Sequence, residues 1–171
     1  MDRYDGFREF VRVRQQSLMR TAYLLTGDAH LAEDLLQTVL IRVAAHWRKL
    51  DGGGNAEAYT RKALINQHIS WRRRKIVETP HAELPEPGGR HDEATVRRLV
   101  LRQALARLTP RQRTVIVLRF FEDRTEVETA HLMNCTIGTV KSQTHHALSR
   151  LRTMAPELAG LLDDAATEGS R

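Results

Sequence analysis

A stretch poor in apolar residues and rich in chain breakers divides this sequence in two. Pro80, Pro85, Pro87, Gly88 and Gly89 all fall within residues 76–92. Proline removes amide donors and glycine raises the entropy lost on ordering, so a helix or strand is not expected to pass through. The segment reads as a flexible linker. A chain of 171 residues cut at this point must build two small cores, one on each side.

Both sides carry a helical pattern. Strand-like alternation is almost absent and helix formers dominate. Phe7, Phe10, Val11, Leu18, Ala22 and Leu25 recur at helical steps, which predicts a helix from Phe7 to Leu25 closed by Gly27. Leu31, Leu35, Leu36, Val39, Val43 and Trp47 form the stripe of a second helix, from about Ala29 to Leu50. Gly52, Gly53 and Gly54 break the chain. Asn55 is placed to cap a third helix reaching about Lys75, with Tyr59, Ala63, Leu64, Asn66, Ile69 and Trp71 along it.

Beyond the linker a helix is expected from Glu93 to Arg107. Thr109-Pro110-Arg111-Gln112 then forms a capping box with proline at the first helical position. Val115, Ile116, Leu118, Phe120 and Phe121 belong to the helix it opens. Thr125-Glu126-Val127-Glu128 is a second box, opening a short helix that ends near Met133. Asn134-Cys135-Thr136 is a tight connection. Thr136 caps a last helix to about Met154, and Pro156 stops it. The expected fold is all-α: two small helical domains, residues 1–75 and 93–156, joined by the linker 76–92. Residues 157–171 are expected to be a disordered polar tail.

Charge follows the same division. Net charge is +5 over residues 1–78, −3 over 79–95, +7 over 96–156 and −3 over 157–171. Two basic blocks suit a polyanion touched in two places. Cys135 is the single cysteine, which excludes an internal disulfide and a thiolate-rich metal site. No apolar run approaches the roughly 20 residues of a membrane span, and the N-terminus lacks a signal-peptide core. A cytoplasmic protein without membrane insertion is expected.

A short helix, a three-residue turn and a longer helix make a helix-turn-helix. On the last helix Val140, Thr144, Ala147, Leu148 and Leu151 share one face, a narrow stripe for packing. The remainder shows Thr139, Lys141, Ser142, Gln143, His145, His146 and Arg150, with no acidic residue. Donors without carboxylates are what reading base edges beside phosphates requires. Gly138 in the first turn costs roughly 1 kcal/mol of helix propensity. A close approach to DNA or to the preceding helix would account for it.

These residues resemble a known family. Ile137-Gly138-Thr139-Val140-Lys141-Ser142, after Glu128-Thr129-Ala130 and before Ala147-Leu148-Ser149-Arg150-Leu151-Arg152, resembles region four of sigma factors. Leu24-Leu25-Thr26-Gly27-Asp28 and Ala32-Glu33-Asp34-Leu35-Leu36-Gln37 resemble region two of the extracytoplasmic-function (ECF) group of the sigma-70 family. The likeness spans about residues 7–154 and is greatest to the actinobacterial SigE-type subfamily.

The resemblance implies a factor that binds core RNA polymerase and directs promoter-specific initiation, with no catalysis, cofactor or metal of its own. Asp34, Leu35, Gln37, Thr38 and Arg42 would meet the β′ clamp helices, and region four the β flap. Leu35, Val39 and Leu40 also read as core positions. Asn55, Tyr59, Lys62 and Asn66, with Arg72, Arg73 and Arg74, would open and hold the minus-ten element. Arg119, Thr136, Gly138, Thr139, Lys141, Ser142, Gln143, His145 and His146 would contact the minus-thirty-five element. Gln143 and His146 stand where many relatives have arginine, and Thr38 where an acidic residue is usual. No inhibitory segment is expected before residue 7 and no further folded domain after residue 156, so a separate anti-sigma factor is a possible partner.

Two other classes fit the sequence less well. A dimeric helix-turn-helix regulator needs a sensor with an apolar pocket, which an Asp/Gln-bearing helix, a glycine loop and an arginine run do not suggest. A metalloenzyme needs converging ligands. His131, Cys135, His145 and His146 are spaced to face differently, and no nucleophile or paired-carboxylate pattern stands out.

Overall fold

A computed structural model describes residues 4–51, 55–75, 93–158 and 160; residues 51 and 72–75 are described by their backbone only. The described residues are helical, without strands. The chain divides into two compact units, Met1–Trp71 and Arg72–Arg171. The linker 76–92 and the glycines Gly52, Gly53 and Gly54 lie outside the described residues, as does most of the expected tail.

The first unit is built from α1 (Asp5–Thr26), α2 (Ala29–Asp51) and α3 (Ala56–Lys75). Gly27 ends α1 in the left-handed region, φ 73°, and its N–H reaches the Tyr23 carbonyl. That conformation is cheap for glycine and turns the chain directly into α2. Leu18, Ala22, Ala32, Leu35, Leu36, Val39, Val43, Trp47 and Leu64 close the core. The Trp47 ring meets Phe7 edge-on at 5.5 Å and Phe10 at 5.4 Å, so the far end of α2 is held by the first turns of α1. Polar residues take part: Thr21, Thr60, Gln67 and His68 are buried, and the Thr60 hydroxyl donates to the Ala56 carbonyl at 2.6 Å. Glu57 joins α1 to α3, accepting from Arg14 at 3.1 Å and from Arg61 at 3.1 Å.

The second unit contains α4 (Glu93–Ala106), α5 (Pro110–Ile116), α6 (Glu126–Met133) and α7 (Ile137–Met154). Both expected capping boxes form. Thr109 accepts from the Gln112 N–H and Thr125 from the Glu128 N–H, and each glutamine or glutamate side chain returns to the cap amide. The helix opened by Thr109 does not run regularly to Phe121. Val117–Phe121 is a π-helical turn, closed by the Glu122 N–H on the Val117 carbonyl at 3.0 Å. Wider hydrogen-bond spacing re-aims the side chains that follow. Val117 and Leu118 stay buried while Phe121 comes out to the surface.

Ala104, Leu105, Leu108, Ile116, Ala147, Leu148, Leu151 and Ala155 pack together, and Leu158 joins them. Packing therefore continues past the expected boundary at Pro156. Residues Pro156–Leu158 form a short 3-10 turn that carries Leu158 inward at 3% exposure. Arg113 is also buried, a position the sequence pattern did not single out.

Candidate nucleic-acid interface

The helix-turn-helix is assembled by local backbone chemistry. Asn134 closes α6 in the left-handed region, φ 53°, which asparagine tolerates well. The Cys135 N–H returns to the Ala130 carbonyl at 3.0 Å. Thr136 then caps α7, its Oγ1 accepting the Thr139 N–H at 3.1 Å. Thr129, Ala130, Leu132 and Met133 of α6 face inward, and so do Val140, Ala147, Leu148 and Leu151 of α7.

This packing turns the rest of α7 outward. Thr136, Gly138, Lys141, Ser142, His145 and His146 are exposed, and Thr139 and Gln143 are half-buried beside them. The His145 and His146 rings lie edge to face, 5.8 Å apart. A Cβ placed on Gly138 would meet only Thr136 Oγ1, at 3.7 Å. The preceding helix therefore does not demand glycine there.

Two arginines of the second unit are tied to backbone carbonyls. Arg150 is exposed, and it donates to the Arg107 carbonyl at 3.0 Å and to Gln112 Oε1 at 3.2 Å. Arg119, the one minus-thirty-five candidate outside the helix-turn-helix, is half-buried, and its Nη1 donates to the Arg124 carbonyl. That contact joins Arg119 to the turn after the π segment.

On the first unit α2 exposes Asp34, Gln37 and Arg42 and half-buries Thr38. Leu35 is a correction: it is fully buried in the core, because it shares its helix face with Val39 and Val43. Ile41 was missed. It is 71% exposed and lies one helical turn beyond Gln37, two beyond Asp34. Its signal was present, since Ile41 is an apolar residue outside the inward stripe of α2. On α3, Tyr59, Lys62 and Asn66 share the face opposite the buried Thr60, Leu64 and Gln67. Tyr59 is 37% exposed, with its ring 6.2 Å from His46. Asn55 precedes α3 and is exposed, its carbonyl accepting the Tyr59 N–H at 3.0 Å. Arg72, Arg73 and Arg74 fall in the last turns of α3; their side chains lie outside the described residues.

Among the described residues no group of three or more His, Cys, Asp or Glu side chains is placed to hold a metal ion. None of the described helices is long and apolar enough to cross a membrane.

A helical unit with exposed polar faces, and a second that presents an uncharged-to-basic recognition helix, define a DNA-binding transcription protein. Comparison with known proteins agrees. A model described as Sigma-70 region 2 matches residues 10–76, and one described as Sigma-70, region 4 matches residues 104–153. The RNA polymerase sigma-E factor of Streptomyces coelicolor is 43% identical over 148 residues, covering 85% of this chain and 84% of that protein. The ECF RNA polymerase sigma factor SigL of Mycobacterium tuberculosis is 33% identical over 148 residues, covering 82% and 84%. The sigma factor RpoE of Bartonella quintana, solved in complex with the anti-sigma factor NepR, matches with a TM-score of 0.66 at 25% identity. That match covers 87% of this chain and 96% of that one. The chain belongs to the sigma-70 family of RNA polymerase sigma factors, in its ECF group. It is a transcription initiation factor.

Proposed function

We propose a division of labour between the two units, with residues 1–75 serving core polymerase and the minus-ten element and residues 93–158 the minus-thirty-five element. Asp34, Gln37, Thr38, Ile41 and Arg42 form the polymerase-facing surface of α2, an exposed isoleucine ringed by polar groups. Such a centre-and-rim arrangement is typical of protein interfaces. Tyr59, Lys62 and Asn66, with Asn55 and Arg72–Arg74, hold melted minus-ten DNA by stacking, hydrogen bonding and charge. Gly138, Thr139, Lys141, Ser142, Gln143, His145 and His146 read the minus-thirty-five duplex, with Thr136 fixing the helix entry.

The observation that carries this reading is the outward face of α7, which presents donors and no carboxylate of its own. The protein acts by recognition, without catalysis, in the cytoplasm beside RNA polymerase. An anti-sigma protein, as in the complex solved for the RpoE relative, is a partner of the expected kind.

The test mixes the full chain with core RNA polymerase and follows co-elution, then run-off transcription from a promoter pool. A stoichiometric complex that starts at a defined subset of promoters supports the reading. A chain that ignores core polymerase and binds duplex as a dimer overturns it.

A further inference from the structure

The recognition helix carries three cations, Lys141, Arg150 and Arg152, and no anion. Arg150 and Lys141 are each engaged inside the second unit. Arg150 is bound to the Arg107 carbonyl and to Gln112. The Lys141 ammonium stands 3.7 Å from Glu126 Oε2, the first residue of α6.

The position of Glu126 is not accidental to its own helix. Thr125 and Glu128 close the capping box on either side of it, so the backbone under Glu126 is fixed. Its side chain is 35% exposed, whereas that of Lys141 is 64% exposed. The carboxylate is the more firmly placed partner and the lysine the one that can swing. The other acid of that turn, Glu128, is occupied by the Thr125 N–H at 2.8 Å and by Arg124 at 3.8 Å. Glu126 is therefore the carboxylate that α6 offers to α7.

We propose that Glu126 is a positioning residue that restrains DNA affinity by holding Lys141 in an ion pair which phosphate must displace. The Glu126 carboxylate gives the ammonium the anionic partner that a phosphate oxygen would otherwise supply. When DNA arrives, Lys141 exchanges one anion for another, and the released counterion that would have driven binding is not gained in full. An exposed pair of this kind is weak enough to break on binding. It stays close enough to repel the incoming backbone. The inference rests on the reading that α7 faces DNA.

The test uses the full chain, a duplex pool enriched on the wild-type protein, and a duplex of scrambled sequence. Binding of each is followed across a salt series. For Glu126→Gln we expect about two- to fivefold tighter binding to the scrambled duplex, the range set by an exposed ion pair. The slope of log affinity against log salt should steepen by about one phosphate contact. Adding Lys141→Met to Glu126→Gln should abolish both changes, because the effect runs through the lysine. An unchanged slope in Glu126→Gln overturns the inference, and so does a gain that survives Lys141→Met. If Lys141→Met alters binding in neither background, the DNA-facing role of Lys141 fails, and the inference fails with it. Thermal unfolding of Glu126→Gln close to wild type separates these effects from loss of the fold.

Discussion

Arg150 reaches from the recognition helix to the carbonyl oxygen of Arg107, which it meets at 3.0 Å. The same guanidinium touches Gln112, the residue that completes the capping box on Thr109. One side chain thus ties α7 to the end of α4 and the start of α5, using a carbonyl that the helix end leaves without an internal partner. Arg150→Ala should lower the stability of the second unit by about 1 kcal/mol, the size of a solvent-accessible hydrogen bond. Denaturant unfolding measures this. The salt slope of DNA binding should barely change, because the guanidinium is held on Arg107 and Gln112; a loss of one phosphate contact would show that Arg150 leaves Arg107 to meet DNA.

Glu128 makes the stability of this unit depend on pH. Its carboxyl is held below the ordinary carboxylate value, chiefly by the hydrogen bond from the Thr125 backbone, then by the Thr125 side chain, with the nearby Arg124 charge adding to it. Partial desolvation opposes the shift without reversing it. A depressed value in the folded state means that protonation favours unfolding. The contribution is complete above the ordinary carboxylate value and is lost as pH falls through the lower, folded-state value. Unfolding midpoints of wild type and Glu128→Gln, compared across an acid series, should converge in that window. Glutamine keeps the capping geometry but cannot titrate, so parallel curves would show that the carboxylate charge contributes nothing.

The parts of the fold that were legible in the sequence are those with local causes. Thr109, Thr125 and Thr136 announce their helices because a cap and the amide it serves lie within one turn of sequence. Gly27 announces an end for the same reason. The outward face of α7 followed from helical period alone. Less was legible on α3, which buries Thr60, Gln67 and His68, so its inward face has no clean apolar stripe. The π turn at Val117–Phe121 was hidden because every residue in it suits an ordinary helix. The Arg150–Arg107 and Lys141–Glu126 contacts join residues far apart in the chain. No spacing rule reaches that far, and these contacts decide which cations on α7 are already occupied.

Thr129 is a polar residue in an apolar place. It is fully buried on α6, and among the described residues its hydroxyl finds no hydrogen-bond partner. A hydroxyl taken out of water without compensation destabilises the fold. Valine has the same branched shape and lacks the polar atom. Thr129→Val should therefore raise stability by about 1 kcal/mol, the lower end of the cost of an unsatisfied buried group. Chemical denaturation of the two proteins measures it, and a less stable variant would mean that Thr129 has a partner, such as a buried water.

Leu35 and Ile41 separate core from interface on a single helix. They are apolar residues of similar size on α2, at 0% and 71% exposure. Truncating Leu35 to alanine removes buried contacts with the α1 and α2 stripe and leaves a cavity, which should cost about 2–5 kcal/mol. Replacing Ile41 with aspartate removes nothing from the core, so unfolding should stay within about 0.5 kcal/mol of wild type. If the Asp34–Gln37–Ile41 face meets core polymerase, that same substitution puts a charge into the centre of the contact, where desolvating an unpaired carboxylate is unfavourable. Co-elution with core polymerase should then be lost in Ile41→Asp while the protein remains folded. Leu35→Ala should instead bind in proportion to the fraction still folded. A folded Ile41→Asp that still forms the complex would move the polymerase contact off this face of α2.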